Sequence, residues 1–421
     1  MSATPEPSSP TPTPPAAEPA AEARPVVRRR RGRAAIYGAV VAVLVVVILV
    51  AVGYSTNWYG LQKTSSLPAC SSGITLDGDG AQVASALMGV WTPAYHTQTN
   101  NTVNLPSPLS GSGTGLSHFT SASIDFAMTD DPLTHAERTA MPATPLTLPF
   151  AGGALTIIYN LPGVTGHLNL TGTILAEIYN GNITSWSNSA IQALNPGVTL
   201  PSQTIYTVHR SDAAGTSYVL TDFLSHVSPY WATVYPKSLQ PSFPTAPKQT
   251  AVKGNSLVIS TVASNSYAIG YSDLTDVLEA ATPPSYAAIQ NPSGNYIVPT
   301  ISSTESAIVD KVSSMKAIPA SAGDWFNVSM VDANGSTDYP IATFLYMYVY
   351  QQADKGFSPS LAKTQVLIQW VHWAVTTGQP MTDQTSPTAL YYVPLPPTIV
   401  SADESGLSTM TYNGATVPSC K

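Results

Sequence analysis

The run Thr207-Val208-His209-Arg210-Ser211-Asp212-Ala213-Ala214-Gly215-Thr216-Ser217-Tyr218 sets a guanidinium, a carboxylate and a small-residue turn just ahead of a helix-like stretch. After residue 33 the chain has only two arginines, Arg138 and Arg210. An arginine used so sparingly has little reason to be there for solubility. Beside a helix start, its guanidinium gives paired, charged hydrogen bonds to a tetrahedral oxyanion. The unsatisfied N–H groups of the first turn add more.

Two other small-residue segments share this character. One is Leu76-Asp77-Gly78-Asp79-Gly80-Ala81-Gln82-Val83. The other is Ser110-Gly111-Ser112-Gly113-Thr114-Gly115, which leads into Leu116-Ser117-His118-Phe119. Each reads as a strand-to-helix junction, where N–H groups sit at the positive end of a helix dipole and glycine lets an anion come close. Taken singly, each reads more readily as an ordinary turn. A fourth piece, residues 124–133, ends an apolar strand on Asp130 and Asp131 before Pro132. Such an acid either accepts a hydrogen bond from a protonated ligand oxygen or caps the next turn.

Catalysis finds little support. His209 with Ser211 and Asp212 suggests a base and its neighbours, but adjacent residues on a strand point to opposite faces, so His209 and Arg210 cannot share a site. No Gly-x-Ser-x-Gly element is present. The seven histidines are scattered without ligand spacing, and neither a metal nor a cofactor is implied.

The elements that must hold these segments alternate. A strand is expected at 155–160, a helix at 172–179, a strand at 205–209, a helix at 217–227 and a helix at 362–376. Phe344, Tyr346, Tyr348 and Tyr350 recur with period two, as on one face of a strand. Strand–helix alternation implies an α/β fold, and no internal repeat is visible.

Charged residues make up 10% of the 421-residue chain, and lysine and arginine are sparse beyond the N-terminus, so nucleic acid is not a partner. Residues 1–27, rich in Pro, Ala, Ser, Thr and Glu, read as disordered. Residues 34–53 carry no charge and are long enough to span a bilayer. The cluster Arg28-Arg29-Arg30-Arg31-Gly32-Arg33 precedes them, which keeps residues 1–33 in the cytoplasm and sends the rest outside. A cleaved signal peptide is the competing reading; it would need a shorter apolar run and a small-x-small site directly after it. Residues 54–72 read as a linker. Cys70 and Cys420, the only cysteines, flank the outer domain and invite a disulfide in an oxidising compartment. A lipid on Cys70, or two separate thiols, are the alternatives.

The order of segments resembles one family, the phosphate-binding protein of the high-affinity phosphate ABC importer, with its two-lobed periplasmic-binding-protein fold. The matching strings are Ser112 to Gly115, Asp125-Phe126-Ala127-Met128-Thr129-Asp130, Leu148-Pro149-Phe150-Ala151-Gly152-Gly153 and Tyr159-Asn160-Leu161-Pro162-Gly163-Val164. They continue with Leu170-Thr171-Gly172 through Trp186, Ala193 to Val198, the arginine segment, Lys253-Gly254-Asn255, Ala268-Ile269-Gly270-Tyr271 and Tyr391 to Pro396. The resemblance covers residues 73–400. It implies lobe 1 at about 73–147 and 272–421, lobe 2 at about 148–271, and inorganic phosphate between them, delivered to ABC transporter permease subunits.

By the same resemblance, phosphate is bound by the first loop (Ala81, Gln82, Val83), by Ser112, by Asp130 accepting the ligand's proton, by Arg210 held by Asp212, and by Ala214, Gly215 and Thr216 at the helix start. Two of the loops depart from the pattern. Gln82 and Val83 stand where the family has Thr and an aromatic. Ala214 stands where it usually has Ser, removing a hydroxyl worth about 1–3 kcal/mol if a ligand oxygen is left unpaired.

Overall fold

A computed structural model describes residues 70–382 and 390–418. The expected cytoplasmic tail, the 34–53 span, most of the linker and Cys420 lie outside the described residues. Among the described residues no helix is long and apolar enough to cross a membrane. Cys70 is described, partly buried against the first core.

The architecture is mixed α/β, as alternation implied. In chain order the elements that build the site are β1 (Thr75–Gly80), α1 (Ser85–Thr99), β2 (Thr102–Asn104), α2 (Ser112–Thr120), β3 (Phe126–Thr129), β4 (Pro145–Tyr159), β5 (Tyr206–Arg210) and α3 (Gly215–Val227). There follow β6 (Gln249–Val252), α4 (Asn255–Ser264), β7 (Ala268–Asp273), α5 (Ile301–Ser314), β8 (Ala342–Tyr350) and α6 (Leu361–Val375). The sheet runs β2-β1-β3-β8-β4-β7-β5-β6. β1, β2 and β3 are parallel, as are β5, β6 and β7. β8 is antiparallel to both β3 and β4, and β7 is antiparallel to β4.

β4 serves two cores in succession. Leu146, Leu148, Phe150 and Ala151 pack with α1, α6 and β8 in the first core. Ala154, Leu155, Ile157 and Tyr159 belong to the second, with Leu220, Phe223 and Tyr271. The handover falls at Gly152-Gly153. A Cβ on Gly152 would sit 2.3 Å from Ile308 Cδ1 and 3.0 Å from Val393 Cβ, so only glycine lets the 393 segment pair here. The chain returns to the first core after Ile297, before α5. Leu274, Ala287 and Ile289 still pack in the second core, and Ala288–Gln290 pairs with Asn169–Leu170. Val331, Tyr339 and Ile341 pack in the second core again before β8 rejoins the first, so the chain passes between the cores more than twice. Alternation along the sequence carries no mark for such a handover, because a strand buried in either core looks the same.

The expected helix at 172–179 is present as Gly172–Tyr179. The strand expected at 155–160 is the last third of a strand ten residues longer at its start, apolar enough to be buried throughout. β8 is likewise buried along its whole length. Its tyrosines occupy one face and Leu345, Met347 and Val349 the other, as befits a central strand.

Candidate functional site

β1, β3, β5 and β6 all end at one place, the C-terminal edge of the parallel strands, where open α/β sheets offer a crevice. The residues that follow each strand deliver the site. Beyond β1, Gln82, Val83 and Ala84 form a 3-10 turn into α1. The expected first loop is in fact mostly strand. Gly78 and Gly80 sit in β1 because the Phe126 ring and the Met128 carbonyl of β3 leave no room for a Cβ, which would approach to 2.2 Å and 2.0 Å respectively. Asp79, buried in the same strand, shapes the second loop. One oxygen accepts the Ser110 N–H at 3.0 Å and the other faces His118 Nδ1 at 2.9 Å. The Gly111 N–H donates to the Gly80 carbonyl, so α2 starts beside the end of β1.

After β3 comes Asp130, 2% exposed, accepting the Ser112 hydroxyl at 2.6 Å. It does not cap the next helix: Thr134 does that, in a capping box with Glu137. Burial pushes the Asp130 carboxyl above the usual carboxylate range, against the pull of Ser112 and Arg210. Burial, with the Asp130 charge beside it, pushes Asp131 up much further.

At the end of β5, the backbone alternates as expected. His209 turns to the Phe243 ring, 4.5 Å away, and Arg210 turns into the crevice. Arg210 is clamped. Its Nε and Nη2 donate to the two oxygens of Asp212 at 2.8 and 2.6 Å, and its Nη1 donates to Thr216 Oγ1 at 3.3 Å and to Asn255 Oδ1. Burial works against the guanidinium charge, but Asp212 outweighs it and holds the group above its ordinary value. Burial likewise opposes the Asp212 charge, and Arg210 holds that carboxyl below its usual range.

Asn255 lies within the matching string Lys253-Gly254-Asn255, and its own segment assigns it no role. It proves to be a hub. Its side-chain nitrogen donates to Asp273 at 2.7 Å and Asp276 at 2.6 Å, and its backbone N–H donates to Gln82 Oε1 at 3.2 Å. Gln82 thus reaches across to the opposite lobe.

Gln82, Val83, Gly111, Ser112, Asp130, Arg210, Ala214, Gly215, Thr216 and Asn255 line one small cavity. Of the expected ligand residues, Asp212 stands behind Arg210 rather than in the wall, and Ala81 is buried just outside it. The loops meet around this cavity. The Gly113 N–H donates to the Ala213 carbonyl at 3.3 Å across the cleft. Gly215 is fixed by the same closeness, since a Cβ there would fall 1.2 Å from Asp130 Oδ1.

Four helical segments begin in this wall, after Ala81, Gly111, Ala214 and Gly254, and in none does the preceding residue supply a side-chain cap. The first N–H groups of a helix have no carbonyl of their own to bond. Four positive helix ends converge there with one guanidinium, and a tetrahedral anion is the ligand chemistry they share.

Residues 64–375 match the PBP superfamily domain. The phosphate-binding protein PstS of Xylella fastidiosa (strain 9a5c) is 31% identical over 359 residues, covering 84% of this chain and 88% of that protein. PstS of Methanocaldococcus jannaschii is 31% identical over 301 residues, 69% of this chain and 75% of that protein. Among solved structures, the ancestral soluble variant of the human phosphate binding protein aligns with a TM-score of 0.61 at 18% identity, over 82% of this chain and 100% of that one. A high-affinity periplasmic phosphate-binding protein solved with phosphate aligns at 0.58 and 18% identity, over 82% and 100%. The chain belongs to the PBP superfamily and, within it, to the PstS phosphate-binding proteins.

Proposed function

From that membership, we propose that this chain is an extracytoplasmic receptor that captures inorganic phosphate between its two lobes and delivers it to an ABC transporter. One observation carries the reading: four helix starts without side-chain caps and the clamped Arg210 face a single buried cavity. Phosphate oxygens there accept from Arg210, from the N–H groups of Gly215 and Thr216, and from the start of α2. Asp130 accepts the proton that phosphate retains at neutral pH. Sulfate has no such proton and meets an unshared negative charge. Binding without turnover is supported by the relatives, which are binding proteins.

The remainder of the chain serves delivery. Residues 34–53 anchor the protein with residues 1–33 in the cytoplasm, residues 54–72 tether the binding lobes, and Cys70 pairs with Cys420 where the domain leaves its tether. The charge-free span, the arginine cluster ahead of it and the count of two cysteines support this arrangement. Calorimetry with phosphate on residues 64–421 tests the receptor reading, with one ligand per chain expected. Mass spectrometry of the mature protein tests the anchor; an N-terminus at 55–70 or a lipid on Cys70 would replace it.

A second reading has its own observation. Gln82 Oε1 is engaged by Asn255 rather than turned to the cavity, and Ala214 has no hydroxyl to offer. On that reading the fold serves interaction or sensing with weak anion binding, and the same calorimetry would return no heat at micromolar phosphate.

A further inference from the structure

A larger pocket of about 760 Å³ lies beside the anion cavity, lined among others by Ser85, Pro108, Ile259, Ala263, Asp276 and Glu279. The two spaces have two lining residues in common, Gln82 and Asn255. These two are bonded to each other across the cleft, from the Asn255 N–H to Gln82 Oε1 at 3.2 Å. Between a cavity shaped for a bare tetrahedral anion and a pocket big enough for an organic group there stands a wall one contact thick.

The two halves of that wall are unequally held. Asn255 is 3% exposed and tied to Arg210, Asp273 and Asp276. Gln82 is only half-buried, and its side chain has the Asn255 N–H as its hydrogen-bond partner; a Cβ on Gly254 would lie 3.3 Å from its Oε1. Asn255 is a fixed post and Gln82 a leaf resting on it. Gly254, at φ +86°, is the residue that gives the leaf its seat, because a Cβ there would press on Gln82 Oε1.

We propose that Gln82, seated on Asn255, is a specificity-determining partition that excludes substituted phosphates by separating the anion cavity from the neighbouring pocket. The inference rests on the phosphate reading above. A phosphate monoester presents three oxygens and one organic arm. The three oxygens suit the helix starts and Arg210, while the arm needs an exit, and Gln82 closes the nearest one. Asp276 and Glu279 in the pocket beyond complement an ammonium group, so an aminoalkyl phosphate is the monoester most favoured once the leaf is shortened.

The experiment is calorimetry of the wild-type protein and of Gln82→Ala, each with inorganic phosphate and with phosphoethanolamine. The wild type is expected to bind inorganic phosphate at least a hundredfold more tightly than the ester. In Gln82→Ala the affinity for phosphoethanolamine should rise at least tenfold, a gain that an unfolded or loosened protein cannot mimic. Gln82→Asn, one methylene too short to reach Asn255, should show a smaller gain in the same direction. A variant that binds inorganic phosphate yet rejects the ester as the wild type does overturns the partition alone. A wild type that binds the ester as well as phosphate also overturns it. Failure of the wild type to bind inorganic phosphate overturns the receptor reading, and the partition falls with it.

Discussion

Helix starts around the cleft and most α-helix starts elsewhere in the fold are built on opposite rules; Pro396, ahead of Pro397–Leu407, and Asp273, ahead of Leu274–Glu279, supply no side-chain cap. Away from the cleft, Thr134, Thr171, Asn188, Ser228, Thr300 and Ser360 each cap their own helix with a side-chain oxygen, Thr134 and Thr300 within capping boxes. Around the cavity, Ala81, Gly111, Ala214 and Gly254 stand in the same position and offer none. A helix without its cap gives up about 0.5–2 kcal/mol. Two of the N–H groups at these starts find partners across the cleft, Asn255 in Gln82 Oε1 and Gly113 in the Ala213 carbonyl; on the phosphate reading, a bound anion caps others, those of Gly215 and Thr216 among them. The stability withheld from the free protein is returned on binding.

The strongest way to break this comparison is to remove the charge the helix starts surround. Arg210→Ala should weaken phosphate binding by at least ~2 kcal/mol, roughly thirtyfold, the scale of a hydrogen bond to a charged group. Calorimetry showing unchanged affinity would sink the site assignment.

Next in size is Gly215→Ala, which forces a methyl into the Asp130 carboxyl 1.2 Å away. Overpacking of this kind costs about 1–3 kcal/mol, and here it is expected to appear as a loss of phosphate affinity of tenfold or more. Gly89, exposed on α1 with nothing within 4 Å, is its counterpart. Gly89→Ala should raise thermal stability by about 0.5–1 kcal/mol, since alanine loses less backbone entropy in a helix. If both substitutions behave alike in melting and in binding, the closeness of Asp130 to the α3 start has been misjudged.

Asp130→Asn sharpens the question of which anion the cavity prefers. Exchanging a buried charge for an amide should narrow the preference for phosphate over sulfate by about tenfold, on the same scale for charged hydrogen bonds. Competition calorimetry with both anions decides, and equal strong sulfate binding by the unmutated protein would refute the proton-sharing role.

A matched pair of cap changes probes the two rules directly. Thr300→Ala removes a capping box far from the cavity and should cost about 1 kcal/mol in melting, leaving phosphate affinity alone. Ala214→Ser restores a hydroxyl at the α3 start and should raise phosphate affinity by about 1 kcal/mol, roughly fivefold. Thr300→Ala altering affinity, or Ala214→Ser leaving it untouched, would erase the distinction between the two groups of helices.

The smallest expected effect is on the pH dependence of folding. Burial pushes the Asp276 carboxyl up to about 6, and pushes Asp403 well above the usual range; neither Asp403 oxygen has a hydrogen-bond partner among the described residues. A carboxyl raised by folding holds its proton more tightly in the folded state. Its contribution is therefore full below the unfolded value near 4 and is lost as pH rises through the folded value. The melting midpoint should be higher at pH 5 than at pH 8, and Asp403→Asn should flatten that slope. A midpoint that climbs from pH 5 to 8 would refute this reading; Asp212 and Glu404, held below their usual range, contribute fully above the unfolded value near 4 and lose that contribution only as pH falls below it.

How much of this was legible varies by region. Arg210, Asp212, Gly215 and Thr216 were readable because they lie within seven consecutive residues, across one strand–helix junction whose geometry is local. Ser112 and Asp130 were readable as members of small-residue and acidic segments, though a turn or a cap was the readier reading of each. The α/β class followed from alternation, and helix Gly172–Tyr179 from its apolar spacing.

Tertiary structure alone decided the rest, because it depends on which strands become neighbours. Asn255 carries no mark in its own segment, since Gly-Asn is an ordinary turn pair. Only the parallel pairing of β6 with β5 sets it beside Arg210. Asp79 looked like a loop residue until the Phe126 ring of β3 packed over Gly78 and drew the segment into the sheet. Gln82 looked like a substitute ligand, and the closeness of the opposite lobe turned it toward Asn255. The sequence by itself determined the chemistry on offer at each junction. The order of strands, a non-local choice made by burying two cores along one long strand, determined which junctions meet.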